Sequence, residues 1–241
     1  MFDFFRSLFE KFLRVPKVVR GKDKFIKIDF ECDHITLGNP NAAWTICPEF
    51  LNENSVVYSF GIGYDVSFDL AIINNCDLKI YAFDPTPKSI EWVKNQNLPK
   101  QFILKEYGLA DFDGKAKFHP PENPDYISAT ILERPTTENE AYKVDVKSLI
   151  TIMRELGHDK IDILKMDIEG GEYTVIENII NSGIKPTQLL VEFHHRFGNV
   201  GVKQTINAVN KLRKYGYKVF HISKTGEEIS FIQTELVKNM V

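Results

Sequence analysis

The chain is poor in the residues that staple small secreted folds or zinc ribbons. Its three cysteines, Cys32, Cys47 and Cys76, are an odd number without CxxC or zinc-ligand spacing. They read as reduced thiols in a reducing compartment, which makes the cytoplasm the default location. Long apolar runs are missing too. Nothing approaches the roughly 20 residues of a transmembrane helix, and the N-terminus has no uninterrupted apolar core of the secretory kind. Nor is there an excess of positive charge. The formal net charge is −3, which speaks against wholesale phosphate-backbone binding, so nucleic acid is not an expected partner.

What is present is a core. With 43% hydrophobic content over 241 residues, the chain has enough apolar surface for one sizeable domain and a short extension. The expected division is a lead-in over 1–50 and a main domain over 51–241. Phe2, Phe5, Leu8, Phe9, Phe12 and Leu13 recur at helical spacing, and Pro16 marks the expected end of that helix. Its aromatic face, followed by Lys17, Arg20, Lys22 and Lys24, suits peripheral contact with an anionic membrane, or packing on its own domain or a second copy in a homo-oligomer. Asp3 and Glu10 dilute the charge and favour packing. Lys24 to Phe30 alternates as a short strand does. Trp44 either caps a ligand or, as is commoner for tryptophan in a loop, anchors the lead-in to the core.

The main domain is organised around Ser55 to Leu70, SVVYSFGIGYDVSFDL. A short apolar run ends at Phe60, Gly61 and Gly63 allow a tight turn, and Asp65 or Ser67 suits the start of a helix. Alone, Gly-x-Gly is also the mark of an ordinary turn. A second strand, Lys79 to Phe83, ends in Asp84, about 20 residues beyond Gly63, where nucleoside-binding folds place the carboxylate that accepts from ribose hydroxyls. Thr86 and Pro87 open the next helix. Phe102 to Lys105 is a third strand. The following Gly108, Leu109 and Asp111 form either an adenine-side loop or, with Asp113 and Gly114, a plain hairpin turn. Pro120 to Glu140 reads as an irregular excursion and a candidate lid.

Periodicity resumes with a helix near Val146 to Leu156, a strand from Ile161 to Met166, a helix to about Ile180, a strand from Thr187 to Phe193 and a helix from Lys203 to Tyr215. Tyr217 to Ile222 and Ile229 to Ile232 close the chain as a hairpin. Alternating strands and helices imply a mostly parallel sheet. The closing hairpin adds one antiparallel strand near the C-terminus, as in methyltransferase sheets and unlike dinucleotide dehydrogenases.

The stretches YSFGIGYDVSFD, YAFDPTP, YGLADFDG and above all LKMDIEGGE resemble the FkbM-type methyltransferases over roughly Cys32 to Ile232. CDHITLGNPNAAWTICPEF is similar to the lead-in of one branch of that family. The resemblance implies a Rossmann-like class I fold of seven strands with helices on both faces. It also implies S-adenosylmethionine as methyl donor and a hydroxyl acceptor, from a sugar, glycan or other small natural product. One position departs from the class. Ser59 stands where many class I enzymes carry an acid before the first glycine, which leaves Asp65 or Asp69 to meet the methionine ammonium.

Methyl transfer to a hydroxyl needs alignment, exclusion of water and removal of the hydroxyl proton. Asp167 and Glu169 follow one strand, and Glu192, His194 and His195 end the next, at the carboxyl edge where open α/β sheets bind ligands. Strand alternation puts Glu192 and His194 on one face and His195 on the other. Either Asp167, Glu192 and His194 hold a divalent cation, or one histidine is a general base. The bland reading makes Asp167 and Glu169 helix caps and one histidine a core residue. A nicotinamide oxidoreductase or a non-catalytic nucleoside-binding protein also fits Gly61, Gly63 and Asp84, but explains less of DIEGGE.

Overall fold

The structure, a computed structural model, describes residues 14–123 and 126–238. The Phe-rich face from Phe2 to Leu13 lies outside the described residues. Residues 14–19 are helical. Pro16 does not end this helix, because its carbonyl still accepts from Arg20 N at 3.2 Å. The stop comes at Gly21 (φ 67°), where Gly21 N donates to the Val18 carbonyl and Lys22 N to that of Lys17. This is the left-handed glycine closure of a helix end.

Seven strands form the central sheet: β3 (Val57–Phe60), β4 (Ile80–Phe83), β5 (Phe102–Lys105), β9 (Ile163–Met166), β10 (Gln188–Glu192), β11 (Tyr217–Ile222) and β12 (Glu228–Gln233). Their order is β11-β12-β10-β9-β3-β4-β5, with β12 antiparallel to both neighbours and the other pairings parallel. This is the sheet expected from the sequence. Helices α1 (Ser67–Cys76), α2 (Pro87–Lys94), α3 (Leu149–Leu156), α4 (Glu172–Ser182) and α5 (Val202–Lys214) connect the strands, and a short α6 (Thr234–Val237) follows β12.

Because β3 lies inside a parallel sheet, its two faces are both buried. Tyr58 and Phe60 face the core built with Leu149, Ile152, Val175 and Ile176, while Val57 shares the opposite core with Phe68, Ile72 and Trp44. The lead-in belongs to that second core. Its hairpin, β1 (Ile35–Leu37) with β2 (Trp44–Ile46), lays β2 against the sheet. The Gln188 side-chain amide bonds both the N–H and the carbonyl of Cys47, at 2.8 and 2.9 Å. Trp44 is 4% exposed and anchors the hairpin to the core.

Three local expectations are corrected. Lys24 to Phe30 forms no strand, since Asp29 and Phe30 N–H groups both converge on the Val219 carbonyl at the β11 bulge and no ladder develops. Val146 ends a strand, β8 (Tyr142–Lys147), and the helix begins only at Leu149. With β6 (Gly108–Leu109) and β7 (Gly114–Phe118), β8 makes a small sheet of order β6-β8-β7. Buried Val144 and Val146 alternate with exposed Lys143 and Asp145, the period of a half-buried strand.

The third correction concerns the thiols. Cys32 and Cys47 are joined by a disulfide across a separation of 15 residues, because the β1–β2 hairpin brings their Cα atoms to 6.4 Å. Cys76 is free, and burial pushes its thiol pKa up. The cytoplasmic expectation loses one of its premises, that of reduced thiols. Among the described residues no helix is long and apolar enough to cross a membrane. Replacing Cys32 and Cys47 together by serine is expected to lower stability by about 3 kcal/mol, the loop-closure contribution for a loop of this length. Urea unfolding without reductant checks this, and coincident midpoints for the two proteins would refute it.

Candidate functional site

The loop after β3 is fixed from below by Asp84. Gly61 and Gly63 have φ of 74° and 58°, the left-handed region that glycine enters without strain. Asp84 Oδ2 accepts from the N–H groups of Ile62 and Gly63, each at 3.0 Å, and Oδ1 accepts from Thr86 N at 2.8 Å. One carboxylate thus ties the first two βα turns together. Oδ2 is filled by its two N–H donors, and Oδ1, with one, keeps lone-pair capacity for a ligand hydroxyl.

Above these turns lies a cleft with about 750 Å³ of empty space, lined by Gly61, Gly63, Asp84, Leu109, Asp167 and Glu169 among others. Gly108 also lines it. The excursion forms part of the opposite wall through Ile127, Ser128, Ala129 and Ile131. The cleft lies at the carboxyl ends of β3, β4 and β9, where open α/β sheets bind their ligands.

Ser59, Asp65, Asp69 and Asp111 are not among the lining residues. Ser59 pairs in register with Lys165 on the α1 side of the sheet and is fully buried. Asp69 is 2% exposed on α1, and burial raises its pKa. Asp65 accepts from Ser67 N at 2.7 Å and Asn39 Nδ2 at 3.0 Å. Asp111 is exposed, and its carbonyl accepts from Asn178. The carboxylates on the cleft wall are Asp84, Asp167 and Glu169.

The ends of β9 and β10 bring a second set together. His194 Nδ1 lies 3.3 Å from Glu172 Oε1, and His194 Nε2 lies 3.4 Å from Glu169, 3.7 Å from Asp167 and 3.9 Å from Glu192. Glu172 is fully buried. Its Oε1 accepts the His194 backbone N–H at 2.8 Å and its Oε2 accepts Gly170 N at 2.9 Å. The result fixes the ring, with Nε2 aimed at the acids. Burial alone would lower the His194 pKa, but the hydrogen bond and charge of Glu172, with Glu169 and Asp167, raise it to about 10. Burial, then the charge of Asp167, pushes Glu192 up to about 9. Crowded carboxylates in a dry site demand positive charge.

Asp167, Glu192 and His194 each offer one ligand atom within a span of 4.8 Å. Asp167 Oδ1 is shielded from solvent without a hydrogen-bond partner. The Glu172–His194 pair has the form of a carboxylate that orients a metal-bound imidazole. Neither Asp167 nor Glu169 caps α4, whose N-cap is Gly171 without a side-chain cap bond. Glu169 instead sits at φ 50°, a conformation rare outside glycine and asparagine, and its carbonyl is held by Thr130 Oγ1.

His195 stands apart. It is 4% exposed, both ring nitrogens lack hydrogen-bond partners, and Nε2 faces Asp23 at 3.6 Å. Two residues of LKMDIEGGE escaped the reading of the sequence as functional groups. Glu172 is one. Lys165 is the other: Nζ donates to the carbonyls of Phe60 at 3.1 Å and Gly61 at 2.8 Å, beneath the Trp44 ring. A lysine inside an otherwise apolar strand was the available signal, since a buried ammonium must find acceptors.

Residues 55–219 match the family model described as the methyltransferase FkbM domain. The chain is similar to the probable methyltransferase-like protein 24 of Homo sapiens, 26% identical over 200 residues, covering 75% of this chain and 48% of that protein. It is also similar to the hexuronic acid methyltransferase AglP of Haloferax volcanii, 23% identical over 134 residues, covering 52% of this chain and 51% of that one. Among solved structures, methyltransferase FkbM from Methylobacillus flagellatus KT aligns with a TM-score of 0.48 at 14% identity, over 75% of this chain and 43% of that chain. The chain spans about half the length of these curated relatives.

Proposed function

The chain belongs to the FkbM methyltransferase family, and from that premise we propose that it is an S-adenosylmethionine-dependent O-methyltransferase whose acceptor is a sugar hydroxyl. The observation that carries the reading is the convergence of Asp167, Glu192 and His194 at one edge of the cleft floored by Gly61 and Gly63. The archaeal relative is named for a hexuronic acid acceptor, which supports the sugar class.

The residues present fit both groups. For the donor, a β-carbon added at Gly63 meets nothing within 4 Å, so the turn leaves room for close approach of a ligand. Asp84 suits the ribose hydroxyls, and Asp167 and Glu169 bring negative charge to the wall that a sulfonium and ammonium would face. For a divalent cation, Asp167, Glu192 and His194 are the ligands, a mixed carboxylate and imidazole set. When bound, the donor supplies an electrophilic methyl group and the cation lowers the pKa of the acceptor hydroxyl.

The chain's own work is alignment and proton removal. Asp84 holds the glycine turn, and the wall from Ile127 to Ile131 narrows access of water. Both ring nitrogens of His194 face carboxylates, so that ring is a poor base. Glu169, on the cleft wall 3.4 Å from His194 Nε2, is the carboxylate that would take the acceptor hydroxyl's proton.

Calorimetric titration with S-adenosylhomocysteine is expected to show one site, against none for NAD. Methyl transfer to sugar acceptors is expected to stop in EDTA and to return with Mg²⁺ or Mn²⁺. Failure to bind S-adenosylhomocysteine would overturn the donor assignment, and full turnover in chelator would overturn the cation assignment.

A further inference from the structure

The LKMDIEGGE stretch places an ammonium inside the sheet. Lys165 is 5% exposed, pairs in register with the buried Ser59, and is not among the residues lining the cofactor cleft. Desolvating a cation is costly unless acceptors replace the lost water. Here the acceptors are main-chain groups of the cofactor turn. Nζ donates to the Phe60 carbonyl at 3.1 Å and to the Gly61 carbonyl at 2.8 Å.

The Gly61 carbonyl and the Ile62 N–H belong to one peptide group, and that N–H donates to Asp84 Oδ2 at 3.0 Å. The peptide is therefore held at its oxygen by a cation and at its hydrogen by an anion. Its plane is fixed from both sides. So is the Asp84 carboxylate, whose Oδ2 also accepts from Gly63 N at 3.0 Å. The Phe60 carbonyl has a second donor, Asp167 N at 3.1 Å. Among the described residues, Lys165 is the only donor to the Gly61 carbonyl.

Trp44 closes another side of the ammonium. Lys165 Nζ lies 5.2 Å from the centroid of its ring, where the ring face attracts a cation, most strongly away from water. Trp44 is 4% exposed and is fixed through its neighbours. The Thr45 carbonyl accepts from Ser230 Oγ at 2.9 Å, and the Gln188 amide bonds the Cys47 backbone. Trp44 precedes residues 55–219, the span that matches the family domain. Direct contacts thus run from the lead-in hairpin through Lys165 to the peptide that holds Asp84.

Resting on the reading of the cleft as a methyl-donor site, we propose that Lys165 is a positioning residue for the donor and that Trp44 sets its place. The lead-in hairpin is thereby a working part of the donor site. Without the ammonium the Gly61 carbonyl loses its donor, its peptide is free to turn, and Asp84 loses the Ile62 N–H. The loss falls on donor affinity, because the glycine turn and Asp84 both belong to the donor side of the cleft. The charge of Lys165 reaches further. Burial raises the pKa values of Asp69 and Asp167, and Lys165 works against that rise at both. Turnover of a Lys165 variant therefore mixes two effects, and the uncharged Trp44 separates them.

Lys165→Met keeps a long unbranched side chain and removes the charge. Calorimetry is expected to show S-adenosylhomocysteine binding at least about tenfold weaker, the scale of a lost hydrogen bond from a charged group. Amide hydrogen exchange at Ile62 and Gly63, measured without ligand, is expected to quicken by a similar factor. Trp44→Leu is expected to raise the donor KM several-fold while kcat at saturating donor stays within about twofold, and Trp44→Phe, which keeps a ring face, to recover most of that loss. Affinity of Lys165→Met within about twofold of the unmodified protein would overturn the proposal, as would unchanged exchange at Ile62 and Gly63. A Trp44→Phe protein no better than Trp44→Leu, or a Trp44→Leu loss that falls on kcat alone, would also overturn it. Should Lys165→Met fail to fold, the Trp44 pair still decides. If the unmodified protein does not bind S-adenosylhomocysteine, the donor reading fails instead, and exchange at Ile62 and Gly63 still reports whether Lys165 holds the turn.

Discussion

Gly61→Ala is expected to lower stability by more than about 3 kcal/mol and to abolish cofactor binding. Gly61 holds φ at 74°, where a β-carbon costs about 1–2 kcal/mol in strain alone. That β-carbon would also overlap the carbonyl oxygen of Asp167 and crowd its carbonyl carbon at 2.8 Å. The clash falls on backbone, and this backbone cannot move cheaply. Asp167 N donates to the Phe60 carbonyl at 3.1 Å and Gly61 N to the Phe83 carbonyl at 3.0 Å, so relief would part β3 from both neighbours. Gly63→Ala is the control. Its φ is 58° but nothing stands within 4 Å, so only the strain of about 1–2 kcal/mol is expected, with affinity for S-adenosylhomocysteine reduced by a methyl group in the cleft. Urea midpoints and calorimetry on both variants check the pair. A Gly61→Ala protein as stable as the Gly63→Ala protein would show that the two turns are not packed as described.

The elements that could be read from the sequence are those whose signals are local. The run from Ser55 to Leu70 carries a strand, a glycine turn and a helix start within one short window, and the spacing to Asp84 joins two such windows. The antiparallel strand was legible because Tyr217 to Ile222 and Ile229 to Ile232 leave no room for a helix between them. What failed was sidedness and pairing over distance. Ser59, Asp65 and Asp69 look adjacent to a ligand in the sequence, yet Ser59 and Asp69 turn to the core beneath α1, and Asp65 bonds Asn39 and Ser67 at the helix start. One residue of phase in β3 decides which face sees the cleft.

The disulfide and the small sheet show the same limit. Cys32 and Cys47 meet only because the Ile35–Leu37 and Trp44–Ile46 strands pair, and spacing alone carries no such register. The β8 strand abuts α3 directly, with Ser148 between them, so Val146 blurred into the helical pattern that follows. His194 and His195 were separable by strand alternation, and the structure does place them in different surroundings, His194 among Glu172, Glu169, Asp167 and Glu192, and His195 against Asp23. Glu172 was not legible as the organiser of His194, because the two lie 22 residues apart along the chain.

Asp167→Asn is expected to lower kcat by about 10²–10⁴-fold, the scale of losing a group that activates the acceptor, a loss larger than the weakening of S-adenosylhomocysteine binding that follows from removing one carboxylate of the cleft wall. The substitution keeps the volume and removes the charge of a side chain whose Oδ1 is dry and without a hydrogen-bond partner, so little native packing is at stake. Glu172→Gln separates positioning from contact. Glu172 faces His194 and the Gly170 amide and does not line the cleft, so its loss acts through the ring it orients. An outer carboxylate of this kind typically changes metal affinity by about 10–100-fold. Glu172→Gln is therefore expected to raise the Mn²⁺ concentration needed for half-maximal turnover by that factor and to recover most of its kcat at saturating metal, whereas Asp167→Asn is not rescued. A purely structural role for Glu172 would lower activity equally at every Mn²⁺ concentration. Turnover of Asp167→Asn near that of the unmodified protein would remove Asp167 from the reaction and leave the cluster as a buried ion network that shapes the turn after β9.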